Sequence, residues 1–282
     1  MKKVKIITDS TCDLTKELIE KNDIEVVPLF VNFGEESYLD GVNLTVPKMY
    51  ELVTEKKILP KTAAPSPGSF EKTFKKYLDE GYEIVYMGIG SKFSATLQSA
   101  NVAKQNLDSE DIYLVDSLNL SSGTGLLILK AIKFRSQGLS GKEIKEKLEE
   151  IVPKVRSQFV IDTLEYLYKG GRLNALSALF GSMLRIKPII KVRDGIMAVG
   201  KKGRGSIKKG IDLMLGEVFE DKDNIDSDFM MITHSLADES STYIKSRLEG
   251  EIKVDNLYDT SAGCVISSHC GKGTIGVLYI LK

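Results

Sequence analysis

Four times in the first 150 residues a short apolar run is followed by a segment with helical amphipathic spacing. The pairs are "VKIIT" with "LTKELIEKN", "IEVVPLFVNF" with "VPKMYELVTEKK", "YEIVYMGI" with "SATLQSANVAKQN", and "IYLV" with "GTGLLILKAIKFRSQ". Strands that are apolar throughout are buried on both faces, and strands alternating with helices pair in parallel because each crossover helix returns the chain to the same end of the sheet. The alternation predicts an α/β fold whose mainly parallel sheet carries helices on both faces. Ligands of such sheets sit beyond the carboxyl ends of the strands.

The rhythm changes after "SGKEIKEKLEEIVPKV", in which Ser140 and Glu143 have capping-box spacing. Beyond it the pattern predicts a strand "QFVI", a helical region "LEYLYKGGRLNALSALFGSMLRI" and a hairpin "IIKVRDGIMAVG" turning at Asp194 and Gly195. A helix from Ile207 to Phe219, a strand "FMMITHS", a helix "ADESSTYIKSRLEG" and strands near "IKVDNLYD", "GCVISSH" and "TIGVLYIL" complete an α+β half. The chain is thus expected to be two-lobed, 1–150 and 151–282, with ample surface to bury.

Lys and Arg total 39 and so do Asp and Glu, so the molecule has no overall field favouring nucleic acid or an anionic membrane. Three cysteines without CxxC spacing, and a start "MKKVKIITDS" that runs straight into a strand, point to the reducing cytoplasm. No apolar run approaches the roughly 20 residues of a membrane helix, so contact with lipid is expected as a soluble binder.

Small polar residues mark the junctions "TDSTCDL", "KTAAPSPG", "GIGSKFSATLQSA" and "VDSLNLSSGTG". A hydroxyl at a helix start either caps the helix or helps its free N–H groups hold an anion. In "KTAAPSPGSF" the prolines stiffen the loop, and Ser66 and Ser69 cap a helix beginning near Phe70. Gly88-Ile89-Gly90, with Asp116 ending the next strand, imitates a dinucleotide fingerprint, although Phe93 occupies the third glycine position. "GIMAVGKK" has Walker spacing, but Lys202 stands where Ser or Thr belongs and the segment lies on a hairpin. His234 and His269, even with Cys264 and Cys270, do not make tetrahedral metal spacing. With neither a GxSxG elbow nor an HExxH helix, no residue is assigned a catalytic role. From Leu184 to Lys209 nine bases face the single acid Asp194, which suits either a solvated hairpin or an acidic partner.

Six segments, "TDSTCDL", "KTAAPSPGSF", "SKFSATLQSA", "VDSLNLSSGTG", "TLEYLYKGGRLNALSALFGSMLRIKPII" and "ISSHCGKGTIGVLYI", together resemble the DegV family of bacterial fatty-acid-binding proteins along essentially the whole chain. The resemblance implies a binding protein, not an enzyme, that encloses one long-chain fatty acid such as palmitate. The carboxylate would be held by Thr62 and Ser94 on the first lobe, with the second lobe closing over the acyl chain. It implies no metal or other cofactor. It also implies a separate fatty acid kinase as partner, phosphorylating the bound carboxylate to an acyl phosphate; among the basic residues, Arg172, Arg193, Lys201 and Arg204 are candidates for partner docking. His269, expected in a loop at a strand end, offers a third headgroup contact. The chain departs from the family pattern at Ala63, Ala64, Ala95 and Lys272.

Elementary energetics agree with that implication. Hydroxyl and N–H donors can hold a carboxylate without a full countercharge. Burying about 15 methylenes at roughly 0.8 kcal/mol each supplies over ~10 kcal/mol before the costs of binding, so the tail dominates affinity. Two other readings stand beside it: an enzyme holding a nucleotide cofactor at Gly88-Ile89-Gly90 and Asp116, and an interaction module built on the basic hairpin.

Overall fold

The structure is a computed structural model that describes residues 2–172 and 186–282. Strands β1 (Val4–Asp9), β2 (Glu25–Val27), β6 (Glu83–Gly88) and β7 (Ile112–Asp116) form a wholly parallel sheet in the order β2-β1-β6-β7. Helices α1 (Lys16–Lys21), α5 (Ser122–Ser136) and α6 (Gly141–Ile151) cover one face. The other face packs Ile7, Ile84 and Tyr86 against α3 (Pro67–Asp79) and α4 (Thr96–Leu107). Ser140 and Glu143 form the capping box of α6.

"IEVVPLFVNF" is not one strand. Pro28, which has no N–H to donate to a ladder, separates β2 from β3 (Phe30–Phe33). β3 then joins β4 (Glu36–Leu39) and β5 (Lys61–Ala63) in a small antiparallel sheet, order β4-β3-β5, backed by α2 (Val46–Lys56). Thr62 therefore sits on a strand and not in the stiff loop. That loop follows it: Ser66 caps α3 by accepting the Ser69 N–H, and Ser69 lies inside the first turn.

The second large sheet has the order β10-β9-β8-β13-β11-β12, antiparallel except for β11 with β12. Its strands are β8 (Val155–Val160), β9 (Ile186–Arg193), β10 (Ile196–Arg204), β11 (Ile225–His234), β12 (Leu257–Ser261) and β13 (Ile275–Leu281). Asp194 and Gly195 both take positive φ, 51° and 72°, as a two-residue turn matched to strand twist requires. Helices α8 (Ile207–Glu220) and α9 (Asp238–Glu249) cover the outer face. α7 (Glu165–Lys169) begins the expected helical region, whose continuation through residues 173–185 lies outside the described residues, as does Arg185 of the basic segment.

α5 is buried from Ser122 through Ala131, which explains why "GTGLLILKA" lacks a polar stripe. It lies between the two large sheets, sharing one core cluster with Ile6 and Met87 on one side and Met231 and Leu278 on the other. The segment "GCVISSH" is a helix, α10 (Cys264–Cys270), and not the expected strand. Five of its first five residues are buried, so the run carries no helical stripe and its β-branched Val265 and Ile266 imitate a strand. α10 packs its Cys264 and Val265 with Leu29, Val31 and Met49 of the small sheet and α2.

Candidate functional site

A cavity of about 190 Å³ opens where these elements meet. Its apolar wall comes from both large sheets and α10: Ile89, Phe93, Leu120, Phe159, Met197 and Ile266. Ile89, Phe93 and Leu120 follow the carboxyl ends of β6 and β7, where α/β sheets expose ligand sites. Leu120, Phe159, Ile266 and Cys270 also border a smaller space of about 30 Å³.

Thr62, Ser94 and His269 all line the main cavity. Thr62 Oγ1 and His269 Nε2 lie 2.8 Å apart, joining β5 to α10. Ser94, one residue before the cap position Ala95 of α4, accepts the Thr96 N–H at 3.3 Å, sits 2.8 Å from Thr96 Oγ1 and lines the cavity. His269 stands on a helix, not in a loop. Burial, aided by the Arg172 charge, lowers its pKa to about 4, which keeps the imidazole neutral at pH 7. Its Nδ1 is sealed from solvent without a hydrogen-bond partner among the described residues.

Arg172 lines the same cavity and donates to the Gly170 carbonyl at 2.8 Å. Arg193, Lys201 and Arg204 are not among the cavity's lining residues; they lie on β9 and β10. Lys201 faces Glu217 and Glu220 at 3.8 and 3.5 Å, and Lys191 binds Glu217 at 2.9 Å, so part of the basic hairpin is neutralised from α8. Ala63, Ala64 and Ala95 line the cavity, whereas Lys272 is exposed in the turn between Gly271 and Gly273.

The dinucleotide reading fails on geometry. A Cβ on Gly88 would fall 2.0 Å from Asp9 Oδ2, and one on Gly90 would fall 2.8 Å from the Asn119 nitrogen. These glycines admit neighbouring protein, and pyrophosphate has no room beside them. Asp9, wholly buried, fills the switch point between β1 and β6 by accepting the Ile89 N–H at 2.9 Å. Asp116 is consumed by Ser91 and the Leu118 N–H. Burial raises the Cys12 and Cys270 thiols to about 12, far from thiolate nucleophiles, and Cys264 is pushed up as well. Among the described residues no group of three or more His, Cys, Asp or Glu is placed to hold a metal ion, and no helix is long and apolar enough to cross a membrane.

Two buried carboxylates that the sequence did not single out anchor the start of α10. Asp13 accepts the Gly263 N–H at 2.8 Å and the Ser121 hydroxyl, and Asp40 accepts the Cys264 N–H at 2.7 Å. Burial raises both pKa values, Asp13 well above the carboxylate range. Both follow strand ends as solitary acids in polar loops, where nothing distinguishes them from solvated turn residues.

An α/β protein with a mostly apolar cavity lined by a few hydroxyls has the architecture in which small-molecule sites are found. The chain belongs to the DegV family: residues 3–282 match the family model described as "Uncharacterised protein, DegV family". A DegV domain-containing protein of Clostridium acetobutylicum is 39% identical over 283 residues, covering 100% of both chains. Among solved structures, a DegV family protein of Thermus thermophilus, described for its fatty acid binding, superposes with a TM-score of 0.93 at 27% identity, covering 99% of this chain and 100% of its own. A stearic-acid-binding protein of Eubacterium ventriosum gives a TM-score of 0.89 at 29% identity, covering 99% of this chain and 98% of its own.

Proposed function

We propose that this protein binds one long-chain fatty acid, such as palmitate, with the carboxylate at Thr62 and Ser94 and the tail in the cavity between the large sheets. In this reading residues 1–150 supply the headgroup loops and 151–282 close over the chain. The convergence of Thr62, Ser94 and neutral His269 on one apolar cavity carries the proposal. The binding of fatty acids by the Thermus and Eubacterium neighbours supports it.

His269 orients the donor. An N–H left unpaired in a dry site costs more than an unpaired lone pair, so the proton belongs on Nε2 and the orphaned Nδ1 carries none. Thr62 then accepts from His269 and turns its own hydrogen toward the carboxylate. Chains of hydrogen bonds polarise one another, which strengthens the last donor. No acid, base or metal is required, because the carboxylate is held and not transformed. A separate fatty acid kinase is the partner that phosphorylates it, with Arg172, Arg193, Lys201 and Arg204 as docking residues and the cytoplasm as the compartment.

Protein purified from cells is expected to release long-chain fatty acid on solvent extraction, identified by mass spectrometry. In delipidated protein, Thr62→Val with Ser94→Ala lowers fatty-acid affinity by about 10- to 100-fold at unchanged circular dichroism, from the usual contribution of hydrogen bonds to a charged group. An empty protein with no measurable affinity for fatty acids overturns the proposal; unchanged affinity in the double variant overturns the headgroup assignment.

A further inference from the structure

Thr62 and His269 come from elements far apart in sequence, yet their contact is one side of a closed ring. From Thr62 the ring runs through β5 to β3, where Val31 pairs with Thr62, and on to β4, where Phe30 pairs with Leu39. Asp40 follows directly, its own N–H donating to the Leu29 carbonyl at 2.9 Å. The Asp40 carboxylate then takes the Cys264 N–H at 2.7 Å, and α10 leads from Cys264 to His269 and back to Thr62. Asp40 is therefore a polar tie between the sheet that carries Thr62 and the helix that carries His269, beside the longer bonds from the Cys264 thiol to the Leu44 carbonyl and from the Tyr50 hydroxyl to the Ser267 carbonyl, each 3.4 Å.

We propose that Asp40 is a positioning residue for the headgroup site: it sets the axial position of α10 against the small sheet, and so the Thr62–His269 contact, without touching ligand. The inference rests on the fatty-acid reading above. Apolar packing of Cys264 and Val265 against Leu29, Val31 and Met49 presses α10 onto the sheet but is non-directional, so it leaves sliding along the helix axis weakly opposed. A hydrogen bond to one backbone amide opposes sliding directly. Asp13 ties the preceding amide, Gly263, to the first sheet and to Ser121, and fixes α10 relative to α5 instead of to Thr62. Asp40 is 3% exposed, so solvent cannot substitute for the bond it makes.

The test compares a fatty acid with the methyl ester of the same chain, both measured by displacement of a fluorescent lipid probe from delipidated protein. Asp40→Ala is expected to lower the acid-to-ester affinity ratio about tenfold, and Asp40→Asn, which keeps an oxygen for the Cys264 N–H, to hold the ratio within about twofold of wild type. A role confined to stability would weaken both ligands alike, so an unchanged ratio in Asp40→Ala overturns the inference, as does a loss in Asp40→Asn equal to that in Asp40→Ala. Should Asp40→Ala fail to fold, Asp40→Glu displaces the same bond by one methylene, and there too an unchanged ratio overturns it. Thr62→Val serves as control: if it lowers the ratio while Asp40→Ala does not, only the positioning role fails. If Thr62→Val leaves the ratio unchanged, the headgroup assignment fails and the positioning role with it.

Discussion

Replacing His269 by Gln tests the buried, neutral imidazole. In the folded protein His269 titrates near 4, against 6.5 when solvated. As pH falls below 6.5 the unfolded chain takes up a proton that the folded chain refuses, so this residue's contribution is fully present above 6.5 and is lost between 6.5 and about 4. At pH 4.5 the unfolded imidazole is almost wholly protonated and the folded one about a quarter so, which at about 1.36 kcal/mol per pH unit amounts to roughly 2.5 kcal/mol. Asp9, Asp13 and Asp40 act in the opposite sense, since burial raises them and favours the folded state at low pH. They are common to both proteins and cancel in a difference. Urea unfolding of delipidated wild type and His269→Gln at pH 7 and pH 4.5 reads that difference directly. Gln can itself donate to Thr62, so the variant loses the titration while keeping a polar partner. The gap between the two proteins is expected to move by about 2.5 kcal/mol in favour of the variant on acidification. A gap constant within about 0.5 kcal/mol would show that His269 titrates normally and is therefore not sealed against Thr62 as the geometry requires.

Two further substitutions test the packing that shapes the site. Lys130, 5% exposed, binds Asp226 at 2.7 Å and Asp228 at 2.6 Å, pinning α5 to β11; Lys130→Met strands a carboxylate and is expected to cost about 3 kcal/mol in urea unfolding, and a loss below ~1 kcal/mol would mean the pair is hydrated. Gly90→Ala drives a Cβ against the backbone of Leu118 and Asn119, at 2.9 and 2.8 Å, and is expected to cost about 2 kcal/mol or more, whereas Gly68→Ala on α3 meets only Ser66 Oγ at 3.8 Å and leaves stability unchanged or slightly higher. Equal thermal midpoints for the two alanine variants would remove the packing argument made against a cofactor at Gly90.

The parallel sheet was legible because each of its strands owes its pattern to one environment, helices above and below, and the turn at Asp194–Gly195 because only a few dipeptides accept two positive φ values. The failures share a cause. β3, β4 and β5 make a small sheet of three short strands, and α10 is buried almost all round; neither shows a one-sided stripe, and periodicity is the signal that sequence reading depends on. The site inherits this. Thr62 and Ser94 could be singled out as hydroxyls, but composition alone made them helix caps as readily as ligands, and the family resemblance was what selected them. Ser94 lines the cavity one residue before the cap position of α4, while Thr62 is on β5, away from any helix start. What brings Thr62 to His269 is a register, Val31 opposite Thr62, closed by the Asp40 bond to Cys264. A register slip of one residue would turn Thr62 to the other face of its sheet and leave every residue type in place. The proposed headgroup chemistry is written in three side chains, but the contact of Thr62 with His269 depends on a strand pairing and one buried carboxylate that have no signature of their own in the sequence.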